Sequence, residues 1–244
     1  MFDINGRFYH GLTKFANLVI LNVYFIITSL PVFTIGASMT ALIDVTMKMA
    51  RGEEGEHMTP AFFGSFRTNF KRMTVIWLIC LAVLVVAAFD FCFGWNQSGP
   101  ARILICTLSL ILFLLALMIF FFACAWTAVF ESTLRDTFKN AAALSLGKAP
   151  QALLATALLC VPVASIFLVP NGLTTCLILT LVIWEAADAL LAGLIFNRLL
   201  APYLPDEEEE DSGAFAALDE LEQRMEQQKE EEKKEQEKTD RFYN

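Results

Sequence analysis

Two acidic side chains lie three positions apart in the apolar segment VIWEAADALLAG. Residues with this spacing share a helical face, so Glu185 and Asp188 would project from a helix in the same direction. Carboxylates inside a membrane are costly, and they usually face a bundle interior or a water-filled path. Together with Asn22 of another apolar segment, the pair is a candidate ion or proton site. The alternative is a polar seam, in which protonated carboxyls bond to Asn22, Thr107 or Ser109.

A second candidate surface lies in residues 59–73, TPAFFGSFRTNFKRM. Phenylalanines recur there every four residues, with basic side chains beside them. This pattern is typical of a basic amphipathic helix that lies on the inner leaflet. A membrane anchor and a docking face for a partner subunit both fit the pattern. A related pattern at 133–150 adds Asn140. The candidate residues for a partner or lipid surface are Phe66, Arg67, Asn69, Lys71, Arg72 and Asn140.

Motifs of the common enzyme and metal-binding classes are missing from the sequence. It has 6 cysteines without a C-x-x-C pair, and its 2 histidines lie in separate segments. It has no H-E-x-x-H, no G-x-S-x-G, no phosphate-binding loop and no G-x-G-x-x-G. We therefore predict a protein that is not an enzyme and has no catalytic residue, no metal and no cofactor.

The composition is that of a membrane protein rather than of a soluble domain. Hydrophobic residues make up 56% of the 244 residues, charged residues only 18%, and the mean hydropathy is +0.54. Soluble domains average roughly 45–50% apolar and about 25% charged residues. The net charge of −8 is unevenly distributed, because residues 1–203 carry +2 and residues 204–244 carry −10. No basic surface for nucleic acid is indicated, and a nucleic-acid partner is not expected.

Runs without charged residues predict the membrane spans, because a spanning helix needs about 20 apolar residues. Such runs cover 29 positions after Lys14, 17 after Arg72, 28 after Arg102 and 36 after Lys148. The last run is too long for one span, and the tripeptide at 170–172, Pro-Asn-Gly, is typical of a tight turn. The runs predict five spans, at about 15–34, 73–94, 103–128, 151–169 and 173–199.

Pro31 interrupts the first predicted span, because only 16 uncharged residues, from Phe15 to Leu30, precede it. One interpretation is a span kinked at the proline and followed by an interfacial helix over residues 36–50. That helix would have Leu42 and Val45 on one face and Asp44 on another. In the other interpretation the first helix ends at Pro31, and residues 36–50 form a second helix.

Basic residues in short loops predict the orientation. Five lie in segment 48–72 and three in 131–150, but only one in the loop at 95–102. The bias places the first two segments and the C-terminus in the cytoplasm. Five spans then place the N-terminus outside. A re-entrant hairpin formed by the first apolar segment, with both ends inside, is the alternative.

These patterns predict an all-α integral membrane protein. Its membrane domain would cover residues 1–203, with a bundle of about five transmembrane helices and cytoplasmic amphipathic helices. The remaining residues, 204–244, would form an acidic cytoplasmic tail that is partly helical, because the four glutamates at 207–210 repel one another and a helical pattern follows them.

Three short segments resemble the YesL-like family of bacterial membrane proteins, a domain of unknown function. The first has an Asn-containing span that ends in Leu-Pro and is followed by Thr-x-Gly and small residues. The second resembles F-x-x-F-x-x-N-F-K, and the third T-L-x-x-x-x-K-N-A. The matching residues are Asn17, Asn22, Leu30, Pro31, Thr34, Gly36 and Ala37, then Phe63, Phe66, Asn69, Phe70 and Lys71, and then Thr133, Leu134, Lys139, Asn140 and Ala141.

This resemblance implies a small multi-pass protein of the bacterial cell membrane, encoded near carbohydrate uptake systems. The expected function is that of an accessory or regulatory factor for a carbohydrate ABC transporter. Its expected partners are the lipid bilayer and the permease subunits of that transporter. The alternative is a small secondary transporter that uses the Glu185 and Asp188 pair. The family brings no established catalytic residues, and no oligomeric state is predicted.

Overall fold

The computed structural model describes residues 7–53, 58–161, 171, 173–174 and 184–203. The chain divides into two compact units, Met1–Leu200 and Ala201–Asn244. In the second unit the described residues form a short 3-10 helix, Ala201–Tyr203. The predicted acidic helical tail therefore lies outside the described residues.

Seven α-helices and one 3-10 helix make up the described part of the first unit, and it contains no strand. The 3-10 helix, Val32–Thr34, follows α1. The α-helices are α1 (Arg7–Ser29), α2 (Ile35–Arg51), α3 (Met58–Trp95), α4 (Pro100–Val129), α5 (Leu134–Gly147), α6 (Ala149–Leu159) and α7 (Trp184–Leu200).

Four helical segments are long and apolar enough to cross a membrane: Leu12–Ser29, Val32–Arg51, Met58–Trp95 and Pro100–Val129. The pair α5 and α6 passes the same test together, but the two helices are bent by 106°. The number of candidate spans is thus four or five, which agrees with the prediction of about five. The assignments differ, because the second candidate is a segment that was expected to lie at the membrane surface.

The first predicted span, 15–34, does not continue through Pro31. Helix α1 ends at Ser29, and Pro31 has an extended backbone, with φ −76° and ψ 119°. Proline lacks an N–H and disfavours the helical conformation of the residue before it. The Thr34 hydroxyl stabilises the break, since it donates at 2.6 Å to the carbonyl of Thr28. The expectation of one kinked span was therefore wrong, and the alternative of two separate helices is confirmed.

Helix α2 lies in the middle of the bundle and contacts α1, α3, α4 and α7. Nearly all of its side chains are buried, including those of Leu42, Asp44 and Val45. The prediction of an interfacial helix over residues 36–50 was therefore wrong. Asp44 had suggested a solvated face, but its carboxylate pairs at 2.9 Å with Lys48, whose side chain reaches the surface.

Helices α1 and α2 form a hairpin along the first half of α3. Five residues before α1 ends, the Tyr24 hydroxyl lies 3.0 Å from that of Thr59, near the start of α3. At the tip of the hairpin, the Trp77 indole donates to the carbonyl of Val32 at 2.7 Å. Close to the tip, a Cβ added at Gly36 would lie 2.5 Å from the Met73 carbonyl oxygen. The α1–α2 hairpin thus reaches only as far as Trp77.

Helix α3 has 38 residues and combines the predicted span 73–94 with the aromatic and basic segment before it. At 1.5 Å per residue it is about 57 Å long, nearly twice the thickness of a bilayer core. An unbroken helix that crosses the bilayer cannot also lie along its surface. The Phe62 ring is wholly buried and packs against the Tyr24 ring, with centroids 5.7 Å apart. The expected surface-lying helix at 59–72 was therefore wrong.

Helix α4 returns along α3 and contains the predicted span 103–128. The two helices approach closely at Gly94, where an added Cβ would lie 2.7 Å from Ile105. At the turn between them, the Arg102 guanidinium lies 4.2 Å from the centre of the Trp95 ring. Large apolar side chains are exposed here, such as Phe89 (73%) and Ile103 (71%). These surfaces suit contact with lipid.

The last two predicted spans are described only in part. Helix α6 ends at Leu159, well before the end of the predicted span 151–169. Helix α7 covers the second half of the predicted span 173–199, and residues 175–183 lie outside the described part. At the predicted turn between the spans, Asn171 has a positive φ of 56°. This left-handed backbone is what a tight turn with asparagine requires.

Candidate functional site

A polar cavity of about 650 Å³ opens where α2, α3 and α4 meet the connection between α4 and α5. Helix α2 contributes one acidic residue, and the middle of α3 contributes amide, hydroxyl and basic groups. The end of α4 and the connection after it complete the wall. We call this cavity the polar cleft, and its main polar lining residues are Asp44, Asn69, Lys71, Arg72, Glu131 and Ser132.

Arg72 joins α3 to the wall opposite it. One nitrogen of its guanidinium donates to the carbonyl of Ser132, and another donates to the Asn69 side-chain oxygen at 2.8 Å. The Asn69 amide in turn donates to the Ser65 hydroxyl at 3.4 Å. A planar guanidinium held by two partners has little freedom to reorient. The position of Arg72 in the polar cleft is therefore fixed.

The connection between α4 and α5 is held in place by Ser132. Its hydroxyl accepts a hydrogen bond from the Trp126 indole at 3.2 Å and shares another with the Thr137 hydroxyl at 2.8 Å. The next residue, Thr133, caps α5 by accepting from the backbone N–H of Asp136 at 3.3 Å. Side chains from α4 and α5 thus fix the backbone carbonyl that Arg72 binds.

The charged groups of the polar cleft are two basic and two acidic residues: Lys71, Arg72, Asp44 and Glu131. Burial lowers the pKa of Arg72 from its ordinary value, and the charge of Glu131 opposes this decrease. An arginine pKa begins so high that the group stays cationic at neutral pH. Because Asp44 already pairs with Lys48, the other three charges leave an excess of one positive charge.

The six residues predicted as a partner or lipid surface differ in where the structure places them. Asn69, Lys71 and Arg72 line the polar cleft, and Lys71 is also exposed together with Arg67 one turn earlier. Phe66 is half-buried and makes an edge contact with Phe70 at 5.4 Å. The sixth residue, Asn140, is half-buried on α5 and does not line the cleft.

The predicted intramembrane site is partly assembled. Asn22 is wholly buried, and its side-chain oxygen accepts from the backbone N–H of Ala186 at 3.4 Å. Ala186 follows Glu185, which is half-buried, and Asp188 is buried one turn later. Among the described residues, nothing donates a hydrogen bond to the buried Oδ2 of Asp188. The structure therefore brings Asn22 to the helix that carries both carboxylates.

Thr107 and Ser109 were the other two residues expected to bond to the carboxylates, and the structure places them elsewhere. The Ser109 hydroxyl donates to the carbonyl of Ile105 in its own helix at 2.8 Å, and Thr107 is exposed. Of Asn22, Thr107 and Ser109, it is Asn22 that forms a hydrogen bond with α7, the helix that carries Glu185 and Asp188.

Sequence reasoning missed three residues of the polar cleft and one that joins two helices of the bundle. Asp44, Glu131 and Ser132 belong to the polar cleft but were not singled out. Asn197 links α7 to α2, because its amide donates to the Met47 carbonyl at 2.9 Å and its oxygen accepts from Arg51 at 2.9 Å. A signal existed for Asn197, since it is a lone amide in the apolar run LIFNRLL.

Metal chemistry receives no support from the described part of the chain, where no group of three or more His, Cys, Asp or Glu could hold an ion. What the polar cleft offers instead is hydrogen bonding and charge for a polar ligand or a partner surface.

Residues 18–91 match the model of a family described as "Protein of unknown function, DUF624". The segment covers part of α1, all of α2 and most of α3, and thus the α1–α2 hairpin together with one wall of the polar cleft. This match confirms the resemblance to the YesL-like family over residues 18–91, and the third resembling segment, 133–141, lies outside it. No curated protein and no solved structure matches the chain.

Proposed function

We propose that this chain is a non-enzymatic, multi-pass protein of a bacterial cell membrane. It assists a carbohydrate ABC transporter by binding the permease subunits. The apolar helices and the similarity of residues 18–91 to DUF624 proteins support the membrane part of this proposal. The link to carbohydrate uptake rests on the resemblance, because YesL-like proteins are encoded near carbohydrate uptake systems. The proposed mode of action rests on one surface of α3.

That surface lies on the part of α3 that extends beyond its apolar segment. From residue 73 to residue 95, α3 is almost free of charge, and these 23 residues extend about 34 Å, enough for a bilayer core. The 15 residues before them, Met58–Arg72, would project into the cytoplasm. One face of this projection exposes Arg67 and Lys71. We assign the contact with the permease to this basic face, because it is polar, charged and carried by a rigid helix.

The contact between the α1–α2 hairpin and α3 favours an N-terminus in the cytoplasm. The location expected from five spans was outside. The α1–α2 hairpin ends at Trp77, only about one helical turn into the apolar segment of α3. Helix α2 itself has 17 residues and is about 25 Å long, and it reaches the length of a spanning segment only together with the 3-10 helix before it. A hairpin whose tip enters the membrane from the cytoplasmic side keeps Arg7 and Lys14 inside, in accord with the positive-inside rule.

Protease protection of an N-terminal epitope tests this topology. In sealed vesicles with the cytoplasmic side outward, we expect the epitope to be digested. The matched control is the same epitope inserted between Ser98 and Gly99, in the turn between α3 and α4, and it should be protected. Protection of the N-terminal epitope and digestion of the control would restore the outside N-terminus.

Affinity purification in mild detergent tests the contact with a permease. We expect the wild-type chain to recover permease subunits in stoichiometric amount. The double variant Arg67→Glu, Lys71→Glu should lose most of this recovery, because it places negative charge on a basic face. Both side chains are exposed, so the variant should still fold.

The control is Arg102→Glu, which changes a charge at the opposite end of the α3–α4 pair and should leave the recovery intact. Equal recovery by the double variant and the wild-type chain would contradict the assignment of the contact to α3. Failure of the wild-type chain to recover permease subunits would contradict the accessory function itself.

A small secondary transporter is the second candidate function. It is favoured by one observation, the buried Asn22 beside the helix that carries Glu185 and Asp188. The same purification distinguishes the two functions. A homo-oligomer without permease subunits, which catalyses proton-coupled uptake in liposomes, would support the transporter. That uptake should disappear in the double variant Glu185→Gln, Asp188→Asn.

A further inference from the structure

The polar cleft lies at the level where two apolar segments end together. Arg72 directly precedes the apolar segment 73–95 of α3, and Phe130 and Glu131 directly follow α4, which ends at Val129. Phe130 packs on the Trp126 ring, with centroids 4.3 Å apart. Tryptophan is enriched at the level of lipid headgroups. The cleft thus opens at the depth of the headgroups rather than in the acyl chains or in bulk water.

The charges of the polar cleft favour an anionic ligand. Asp44 is neutralised by Lys48, so Lys71 and Arg72 face a single uncompensated carboxylate, that of Glu131. This excess of positive charge attracts a phosphate and repels a quaternary ammonium.

Arg72 is prepared to bind a phosphate before the ligand arrives. Its bonds to Ser132 and Asn69 use two of the five N–H donors of the guanidinium. These bonds fix the plane of the group and leave the other donors for a ligand. A fixed guanidinium loses less conformational entropy on binding than a mobile one.

We propose that the polar cleft binds the headgroup of an anionic phospholipid of the phosphoglycerol type. Lys71 and Arg72 hold the phosphate. The hydroxyl groups of the glycerol bond to the Asn69 amide and the Glu131 carboxylate. The acyl chains extend along the apolar surface of α3 and α4. A volume of about 650 Å³ has room for the whole headgroup. This site does not depend on whether a permease also binds the chain.

Lipid titration of the purified full chain, followed by native mass spectrometry, tests the site. We expect phosphatidylglycerol to bind more tightly than phosphatidylcholine of the same chain length. Lys71→Gln should weaken phosphatidylglycerol binding by about fivefold, as is typical for one basic residue near an anionic lipid. The matched control is Arg67→Gln, because Arg67 is equally basic and exposed on the same helix but does not line the cleft.

Three outcomes would overturn the proposal. Equal affinity for both lipids would show that the cleft does not select a charged headgroup. An equal loss of affinity in Arg67→Gln and Lys71→Gln would assign the binding to general surface charge. Displacement of the lipid by glycerol phosphate at the same concentration would identify a soluble phosphate compound, rather than a lipid, as the ligand.

Discussion

Gly36→Ala should destabilise the protein by about 3 kcal/mol or more, although it adds a single methyl group. The new Cβ would lie 2.5 Å from the Met73 carbonyl oxygen and 2.6 Å from the Trp77 Cβ. Overpacking in a core typically costs about 1–3 kcal/mol, and the cost is higher when backbone atoms must move. Here α2 and α3 would have to separate along their shared interface. Thermal unfolding in detergent, followed by circular dichroism, measures the effect.

Gly64→Ala is the matched control, because Gly64 lies in α3 and an added Cβ would have no atom within 4 Å apart from its chain neighbours and the backbone of its own helix. Alanine is a better helix former than glycine by roughly 0.8–1 kcal/mol. We therefore expect the melting temperature to rise slightly for Gly64→Ala and to fall strongly for Gly36→Ala. Similar melting temperatures for the two variants would show that α2 does not contact α3 at Gly36.

Phe62→Ala should cost about 3–5 kcal/mol, the usual range for deletion of a buried phenylalanine. The Phe62 ring is wholly buried and packs against the rings of Tyr24 and Phe63, with centroids 5.7 and 5.5 Å away. Its loss would leave a cavity between α1 and α3. The same thermal unfolding experiment measures the loss of stability.

Phe89→Ala provides the comparison for Phe62→Ala. Both residues belong to α3, but the Phe89 side chain is 73% exposed on the apolar surface of that helix. Detergent or lipid can fill the space that its ring leaves, so the cost should be well below that of Phe62→Ala. If Phe62 lay on the membrane surface, as the aromatic pattern suggested, the two substitutions would have similar effects.

The two longest apolar helices, α3 and α4, could be predicted from sequence, because their signal is local. Segment 103–128 has no charged residue and segment 73–94 has only Asp90, and each lies inside one helix. The end of α1 was also visible, since Pro31 breaks a helix whatever surrounds it.

The burial of α2 could not be predicted because it depends on its neighbours. Asp44 and Lys48 gave the segment an amphipathic pattern. In the structure the lysine side chain reaches out to the surface and neutralises the carboxylate, so that the acidic residue can be enclosed. Gly36 gave no sign of a helix contact, because the partner residues Met73 and Trp77 lie far along the chain.

The candidate site shows the same limit. Asn69, Lys71 and Arg72 could be selected because they lie next to one another in a basic aromatic segment. The backbone carbonyl of Ser132, which holds Arg72, is 60 residues away in the sequence. Every residue has a backbone carbonyl, so the pattern of side chains in a sequence cannot indicate which carbonyl binds Arg72. The cleft therefore appears only when α3 and α4 are placed side by side.

The stacking of Arg102 on Trp95 has a consequence for how the protein fits bilayers of different thickness. This pair and Arg72 mark the two ends of the apolar segment of α3, at residues 95 and 73. The segment between them is about 34 Å long, slightly more than a typical core of about 30 Å. Both ends prefer the headgroup region, so this helix should stand inclined in an average membrane and more upright in a thicker one.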